Sequence, residues 1–479
     1  LLIITYPTDE HFLGNPLVRL AMAQPKFQQL HDLLAEVLAD PQVRLAMRHD
    51  LAPPGTQASW NGAPALALVP TGCLAVVRRL MGWSYRTLAE EVGLSAGWRW
   101  VCQLYYRGMP NFRTLQEREA LLSRRTVQRI HARVLGLAQQ IGLTRGDRLR
   151  LDGSVIETDI HYPTDSRLLD DAARVLSRGL RQARNLLAPR TPAEQQPFRD
   201  RHRQAHRLTR QIAQATRKAA KNTAKRAKTL YRQLVQLVAQ LLEQVAQVQP
   251  QLSRLSGLAA AGLVELFIHY RPLVEQVVAQ TRRRVLEGVN VPAPEKLVSL
   301  FEPHTAIIRR GKAAPHATEF GIKVWYAEVE GGLISEYRLL HGNPPEAPQV
   351  VPSVQTHRRR FGRAPREVSG DRGLHSKANE RRLRQLGVRR VCLPQPGYKS
   401  ARRQRQERQP WYRAALRFRN GIEGRISHLR RARRLNHCLN HGWDGLERWV
   451  GWGVVANNIA VIVAWLNRRH RSLVKALAR

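Results

Sequence analysis

A chain of 479 residues can hold two or three domains and at least one sizeable core, and a 43% hydrophobic content excludes a disordered polypeptide. Lys and Arg number 78 against 37 Asp and Glu, a formal net charge of +41, which predicts a polyanionic partner. Most of that charge is arginine, whose planar fork suits phosphate, and no lipid-anchoring motif accompanies it; nucleic acid is therefore favoured over a membrane surface.

The opening LLIITYP is too short and lacks the basic start of a secretory signal, and without a methionine at position 1 further residues are expected upstream. Residues 1–65 read as an N-terminal helical segment, Phe27 to Met47, followed by the Pro/Gly loop LAPPGTQASWNGAP. Residues 66–147 are patterned as helices with short turns. Within them SYRTLAEEVGLS sets Ala89 and Gly93 four apart before a turn, the spacing of a helix-turn-helix. LSRRTVQRIHARV offers a Ser123 cap and a basic first turn, so Arg124, Arg125 and Arg129 are candidate DNA contacts, although a plain helical core accounts for either pattern.

The period changes to two at Arg148. In RLRLDGSVIETDIHYP, Leu149, Leu151 and Val155 point one way and Arg150, Asp152 and Ser154 the other, with the strand expected to end at Pro163. Thr164, Asp165 and Ser166 offer caps for the next helix. Residues 164–303 form a basic helical insertion with an apolar seam at Leu230, Leu234, Leu237, Leu241, Val245 and Val248, ending at Pro250. Ordinary bundle core is the simpler reading of that seam than a zipper between chains. Strand patterning returns in 304–435: EFGIKVWYAEV and LISEYRLL flank Glu330-Gly331-Gly332 as a hairpin. A loop with Pro344, Pro345, Pro348 and Pro352 then precedes a helix, the short strand REVSGD, a helix from Ser376 to Gly387, the strand VRRVCLP, and a long helix from Trp411 to Leu435. In 436–479, WVGWGVVANNIAVIVAWL has Asn457 and Asn458 at its centre, which favours a buried core helix over a membrane span. Without the insertion the order describes a mixed α/β sheet with helices on its faces.

In so basic a chain, acidic residues at strand ends stand out. Asp152 lies on the polar face of the first strand and Asp371 follows Gly370 at the end of a later one. Glu423 follows Ile422 on a helix whose apolar stripe is Ala415, Phe418, Ile422, Ile426 and Leu429, so it sits at the edge of the buried face. Three such carboxylates suit two Mg²⁺ ions, with Mn²⁺ as an alternative, and the in-line phosphoryl displacement such ions support. Arg419 and Arg430 share a helical face with Glu423 and would hold phosphate; a surface ion pair between Arg419 and Glu423 is the plainer alternative. Gly421 and Gly424 inside this helix imply a close backbone approach.

The stretches DGSVIETDIHYPTDSRLL, EFGIKVWYAEVEGGLISEYRLLHGNPPE, VSGDRGLHSKANERRLRQLGV and RNGIEGRISHLRR resemble bacterial insertion-sequence transposases of the DDE type, nearest the group called ISNCY. The likeness runs from about Trp60 to Trp465. It implies a ribonuclease-H-like catalytic fold spanning 148–163 and 304–435, with Asp152, Asp371 and Glu423 as catalytic and metal-binding residues. Related transposases carry a Tyr, Arg, Glu, Lys signature on the glutamate helix; here Arg419 and Glu423 match, while Leu416 and Arg430 stand in the other two places. The expected partners are DNA, as terminal inverted repeats and target, and a second copy of the chain in a dimer or larger assembly, in a bacterial cytoplasm and off the membrane. A nuclease or resolvase on the same fold, and a catalytically inactive DNA-binding protein, are the rival readings.

His161, His304, His316 and His341 lie near strand ends and are expected to be structural, since two-metal chemistry requires no histidine. His437 and His441 around Cys438 lack a second ligand pair for a metal. Trp443, Trp449 and Trp452 are expected in the core. Cys73, Cys102, Cys392 and Cys438 form no C-x-x-C pair, which fits a reducing compartment.

Overall fold

The computed structural model describes residues 10–52, 66–105, 107–187, 200–217, 221–309 and 318–477. LLIITYP, the Pro/Gly loop from 53 onward and His316 lie outside the described residues. The chain divides into two units, one made of the residues up to Glu157 together with those from Lys323 onward, the other of Thr158–Ile322.

The first unit begins with helices. The run expected from Phe27 to Met47 is two helices, Pro25–Ala39 and Pro41–Leu51. Pro41 cannot continue the preceding ladder, and Asp40 caps the new helix by accepting from Gln42 N at 2.9 Å and Val43 N at 3.1 Å. Helices Leu68–Met81, Tyr85–Leu94, Ala96–Val101, Phe112–Leu121 and Arg124–Gln140 follow. Ser123 caps its helix as expected, and Ser84 caps the helix Tyr85–Leu94 by accepting from Thr87 N at 3.0 Å. The second arm of the expected helix-turn-helix is only six residues long and buries Trp100 and Val101, so it offers less than two turns to a groove.

The strands are β1 (Arg148–Thr158), β2 (Ala306–Arg309), β3 (Thr318–Val329), β4 (Leu333–Leu340), β5 (Glu367–Ser369), β6 (Arg390–Cys392) and β7 (His437–Cys438). β3 and β4 form the expected antiparallel hairpin, with an irregularity at Ala327/Glu328. The path through hydrogen-bonded neighbours runs β3-β1-β5-β6, with β7 also paired to β1. β5 is parallel to β1, and β6 is parallel to β5. β1 stops at Thr158, before the expected Pro163. Arg150 and Ser154 are buried along with Leu149, Leu151 and Val155, because both faces of β1 are covered.

One core joins Leu34 and Val37 of the early helices, Val127 and Ile130, the strand residues Leu149 and Val368, and Trp452, Val455 and Ile459 of the final helix, Gly442–Leu477. Described residues from 10–52, 66–147 and 442–466 therefore share one hydrophobic core with the sheet. Between Trp449 and Leu466 the final helix is apolar nearly all round, which requires burial. It is the one described helix long and apolar enough to cross a membrane, over Gly442–His470, and 67% of its apolar window is buried. Asn458 at its centre accepts from Ile334 N at 3.0 Å and donates to Ile334 O at 2.9 Å, so its polar group is satisfied inside the core.

The second unit is helical: Asp165–Leu186, capped by Thr164, then His202–Arg217, Lys221–Leu252 and Leu258–Thr281. Leu234, Leu237, Leu241 and Val245 pack with Leu169, Leu176, Ile212 and Phe267 of the same chain. The seam is thus bundle core. β2 pairs antiparallel with the first residues of β3 in this unit.

Two histidines tie the stability of the first unit to pH. His131 Nε2 donates to Ile334 O at 2.8 Å and His357 Nε2 to Gly146 O at 3.0 Å, while each Nδ1 is buried without a partner. Burial, with Arg360 adding to it, pushes His131 down to about 3; burial pushes His357 down to about 4. Unfolded histidine titrates near 6.5. Below that pH the unfolded chain binds more protons than the folded one, so stability falls as pH drops and levels off only near the folded values. Chemical denaturation at pH 7, 6 and 5 is expected to show a loss approaching ~3 kcal/mol per pH unit for the pair. A denaturation midpoint unchanged between pH 7 and 5 would contradict this.

Candidate metal centre

The register of β1 and β5 brings two aspartates together. Arg148, Leu149 and Arg150 pair with Glu367, Val368 and Ser369 in parallel. Carried two residues further, the same register sets Asp152 beside Asp371, across a strand spacing of ~4.8 Å. β5 ends at Ser369, and Asp371 caps the 3₁₀ turn Arg372–Leu374, its Oδ1 accepting from Leu374 N at 3.1 Å.

A third carboxylate comes from Glu346, in the loop after β4 and just before the 3₁₀ turn Ala347–Gln349. Ligand oxygens of Asp152, Glu346 and Asp371 lie within 4.8 Å of one another, and all three side chains are half-buried. Gly153 makes this possible: a Cβ there would stand 2.5 Å from Glu346 Oε1. Asn379 fixes the two acidic turns to each other, its amide donating to Ala347 O at 2.8 Å and Leu374 O at 3.0 Å. In the sequence the proline-rich stretch reads as a connecting loop, and Glu346 does not stand out within it. The one signal is an acidic residue directly after Pro344-Pro345, between a hairpin and a helix.

Asp152 carries the electrostatic cost of the cluster. Burial pushes its carboxyl up to about 6; Asp371 and Glu346 add to this, against Arg419 and the Gly153 N–H. The Gly153 N–H reaches Asp152 Oδ1 at 2.8 Å, and Arg419 Nη2 stands 3.6 Å from Oδ2. Lys323 Nζ is 3.3 Å from Glu346 Oε1. An all-oxygen donor set with this excess of negative charge could hold a hard divalent cation.

Glu423 is not among these ligands. It lies on the helix Pro410–Ala432, which ends before the expected Leu435, and its side chain is 63% exposed. One residue past buried Ile422, it is turned about 100° from the packed stripe. Its carboxylate accepts from Arg419 Nη1 at 2.6 Å. Arg419 thus stands between Asp152 and Glu423, and the expected ion pair is present. The close approach expected at Gly421 is that of Arg150, whose guanidinium occupies the space a Cβ would need. Gly424 faces open space, and nothing in the structure explains it.

The remaining candidates are placed as follows. Arg430 is half-buried, close enough to buried Tyr326 for its charge to act on the phenol. Arg124 pairs with Glu447 at 2.7 Å, Arg129 donates to Gln42 Oε1 at 2.9 Å, and Arg125 is exposed. His161 pairs with Asp171 at 2.6 Å, His304 lies 3.2 Å from Glu302, and His341 stacks on Trp443 at 3.7 Å. Trp449 and Trp452 are buried, and so are the four cysteines, which form no disulfide with one another. No protein-family model, no curated protein and no solved structure matches the chain.

Proposed function

We propose that the chain is a DDE-type DNA transposase that cleaves DNA at element ends and joins the freed 3′-OH to target DNA. The observation that carries this reading is the convergence of Asp152, Glu346 and Asp371 within 4.8 Å. The hairpin β3-β4 beside β1, with β5 and β6 following in parallel, supports a ribonuclease-H-like arrangement. The net charge of +41 supports a DNA partner.

Asp152 and Asp371 would hold Mg²⁺ together with a glutamate. Bound there, the metal supplies activation of the attacking oxygen and stabilisation of the leaving one. Glu346 is already in place; Glu423 reaches the same aspartate through Arg419. Arg419 neutralises part of the carboxylate charge in the free protein and is positioned to take a phosphate oxygen when DNA arrives. The early helices, with Arg124, Arg125 and Arg129, would grip the inverted repeats, and Arg430 would support the cleavage surface. Joining two ends calls for a dimer or larger assembly.

The test is an oligonucleotide carrying an element end, incubated with the full chain and Mg²⁺ or Mn²⁺, with nicked and joined products separated on a denaturing gel. Metal-dependent nicking and joined product are both expected. Nicking without joining would make the chain a nuclease, and DNA binding without either would make it a binding protein only.

A further inference from the structure

A cavity of about 400 Å³ opens where β6 meets the helices Lys377–Gln385 and Ala401–Arg408 and the first turn of Pro410–Ala432. Its wall carries Arg384, Arg389, Arg402, Arg405 and Trp411. Arg402 and Arg405 are three apart, hence on one helical face. All four arginines are exposed, and among the described residues none of them has an ion-pair partner.

Carboxylates are near at hand, but they are engaged by other cations. Glu407 pairs with Lys399 at 2.5 Å and Arg403 at 2.8 Å, and Glu380 pairs with Arg403 at 2.5 Å. Buried Arg403 therefore takes both acids, and its neighbours on the same short helix are left uncompensated. Four like charges in one wall repel each other, so folding stability gives no reason for them; an anion does. Trp411 adds a half-buried ring, with the Arg390 guanidinium 5.8 Å from its centroid.

We propose that this cavity binds single-stranded nucleic acid, the four arginines holding phosphates and Trp411 stacking one base. The volume falls in the range of small-ligand sites and admits a nucleotide. In a duplex the bases are stacked on one another and cannot enter to reach the ring, whereas a single strand presents unstacked bases. None of these residues belongs to the metal centre.

The test uses the full chain, fluorescein-labelled dT and rU 12-mers and a 12-base-pair duplex, followed by anisotropy over a salt series. Trp411→Leu is expected to weaken single-strand binding by about tenfold or more, with Trp411→Phe restoring most of it and duplex binding unchanged. The double variant Arg402→Ala/Arg405→Ala is expected to reduce the slope of log affinity against log salt by about 0.7 for each phosphate that is no longer neutralised. A 5-iodouracil 12-mer should crosslink at Trp411, and the double arginine variant should lose the adduct. Loss of single-strand binding with either sugar supports the site. Equal losses for duplex and single strand, or no adduct at Trp411 while thermal melting shows the variants folded, would overturn it. A chain that binds the 12-mers through this wall but neither nicks nor joins an element end would keep this site and lose the transposase reading, so the two failures are separately visible.

Discussion

Asp152→Asn and Asp371→Asn are each expected to remove metal-dependent DNA cleavage, with losses beyond the ~100-fold that follows disturbance of a metal site's outer partners. Asp152 is the more informative of the two, because it should gain stability while losing function. Its folded pKa of about 6 stands above the ordinary carboxylate value of 3.8, so the cost to stability builds as pH rises from 3.8 to 6, is full above 6, and is lost again only as pH falls from 6 to 3.8. At pH 7 in the absence of metal that cost is ~2–3 kcal/mol. Asparagine keeps the shape without the charge, so Asp152→Asn should raise the melting temperature of the metal-free protein. Mg²⁺ should stabilise the unsubstituted chain and leave the variant unmoved. A variant that melts lower than its parent, or that still responds to Mg²⁺, would remove Asp152 from the site.

The same measurement separates the two glutamates. Glu346→Gln should abolish the Mg²⁺-induced rise in melting temperature if the observed trio is the binding set. Gly153→Ala should weaken it too, since the added Cβ displaces Glu346 Oε1. Glu423→Gln should leave metal binding by the free protein intact. A loss of cleavage in Glu423→Gln would then place this residue at the site only when DNA has drawn Arg419 away.

Glu328→Ala is expected to cost about 3–5 kcal/mol of stability, the largest loss among these substitutions. Glu328 is wholly buried and accepts from Arg150 Nε at 2.8 Å, Arg150 Nη2 at 2.6 Å and Arg425 Nε at 3.2 Å. Removing it leaves two guanidinium groups without their carboxylate in a covered site. Arg150 also donates to Phe418 O, and Arg425 donates to Asn457 Oδ1 at 3.2 Å. The cluster therefore fastens the helix bearing Arg419 and Glu423 to β1 and to the final helix. Urea denaturation of the full chain should show the loss directly. Adding Arg150→Met should restore part of it, because an apolar side chain of similar size needs no partner. A Glu328→Ala midpoint within experimental error of the parent would show that the three charges contribute little.

Much of this arrangement is legible residue by residue. The change of period at Arg148, the hairpin around Gly331 and Gly332, and the serines at 123 and 376 that begin helices are short-range signals, and the corresponding elements form. Asp152 and Asp371 are marked by their places on or just after strands, and parallel pairing of those strands brings them together. Charge and composition likewise define the class of partner to be sought. What local pattern does not supply is the identity of the third carboxylate. A helical period places Glu423 at the edge of a stripe, but only the packing of that helix decides that its side chain is left in solvent with Arg419.

Glu346 is invisible to local pattern for the converse reason. A proline loop has no period to read, and its carboxylate comes up beside β1 where Gly153 leaves room and Asn379 ties the two acidic turns together. The shared core of the early and final helices is equally nonlocal, since apolar faces far apart in the chain bury one another. The amino-acid sequence thus determined the longer helices and the hairpin, the charge and two of the three acidic positions. Tertiary packing decided which glutamate joins them, because periodicity describes one segment at a time and a metal site needs loops from several.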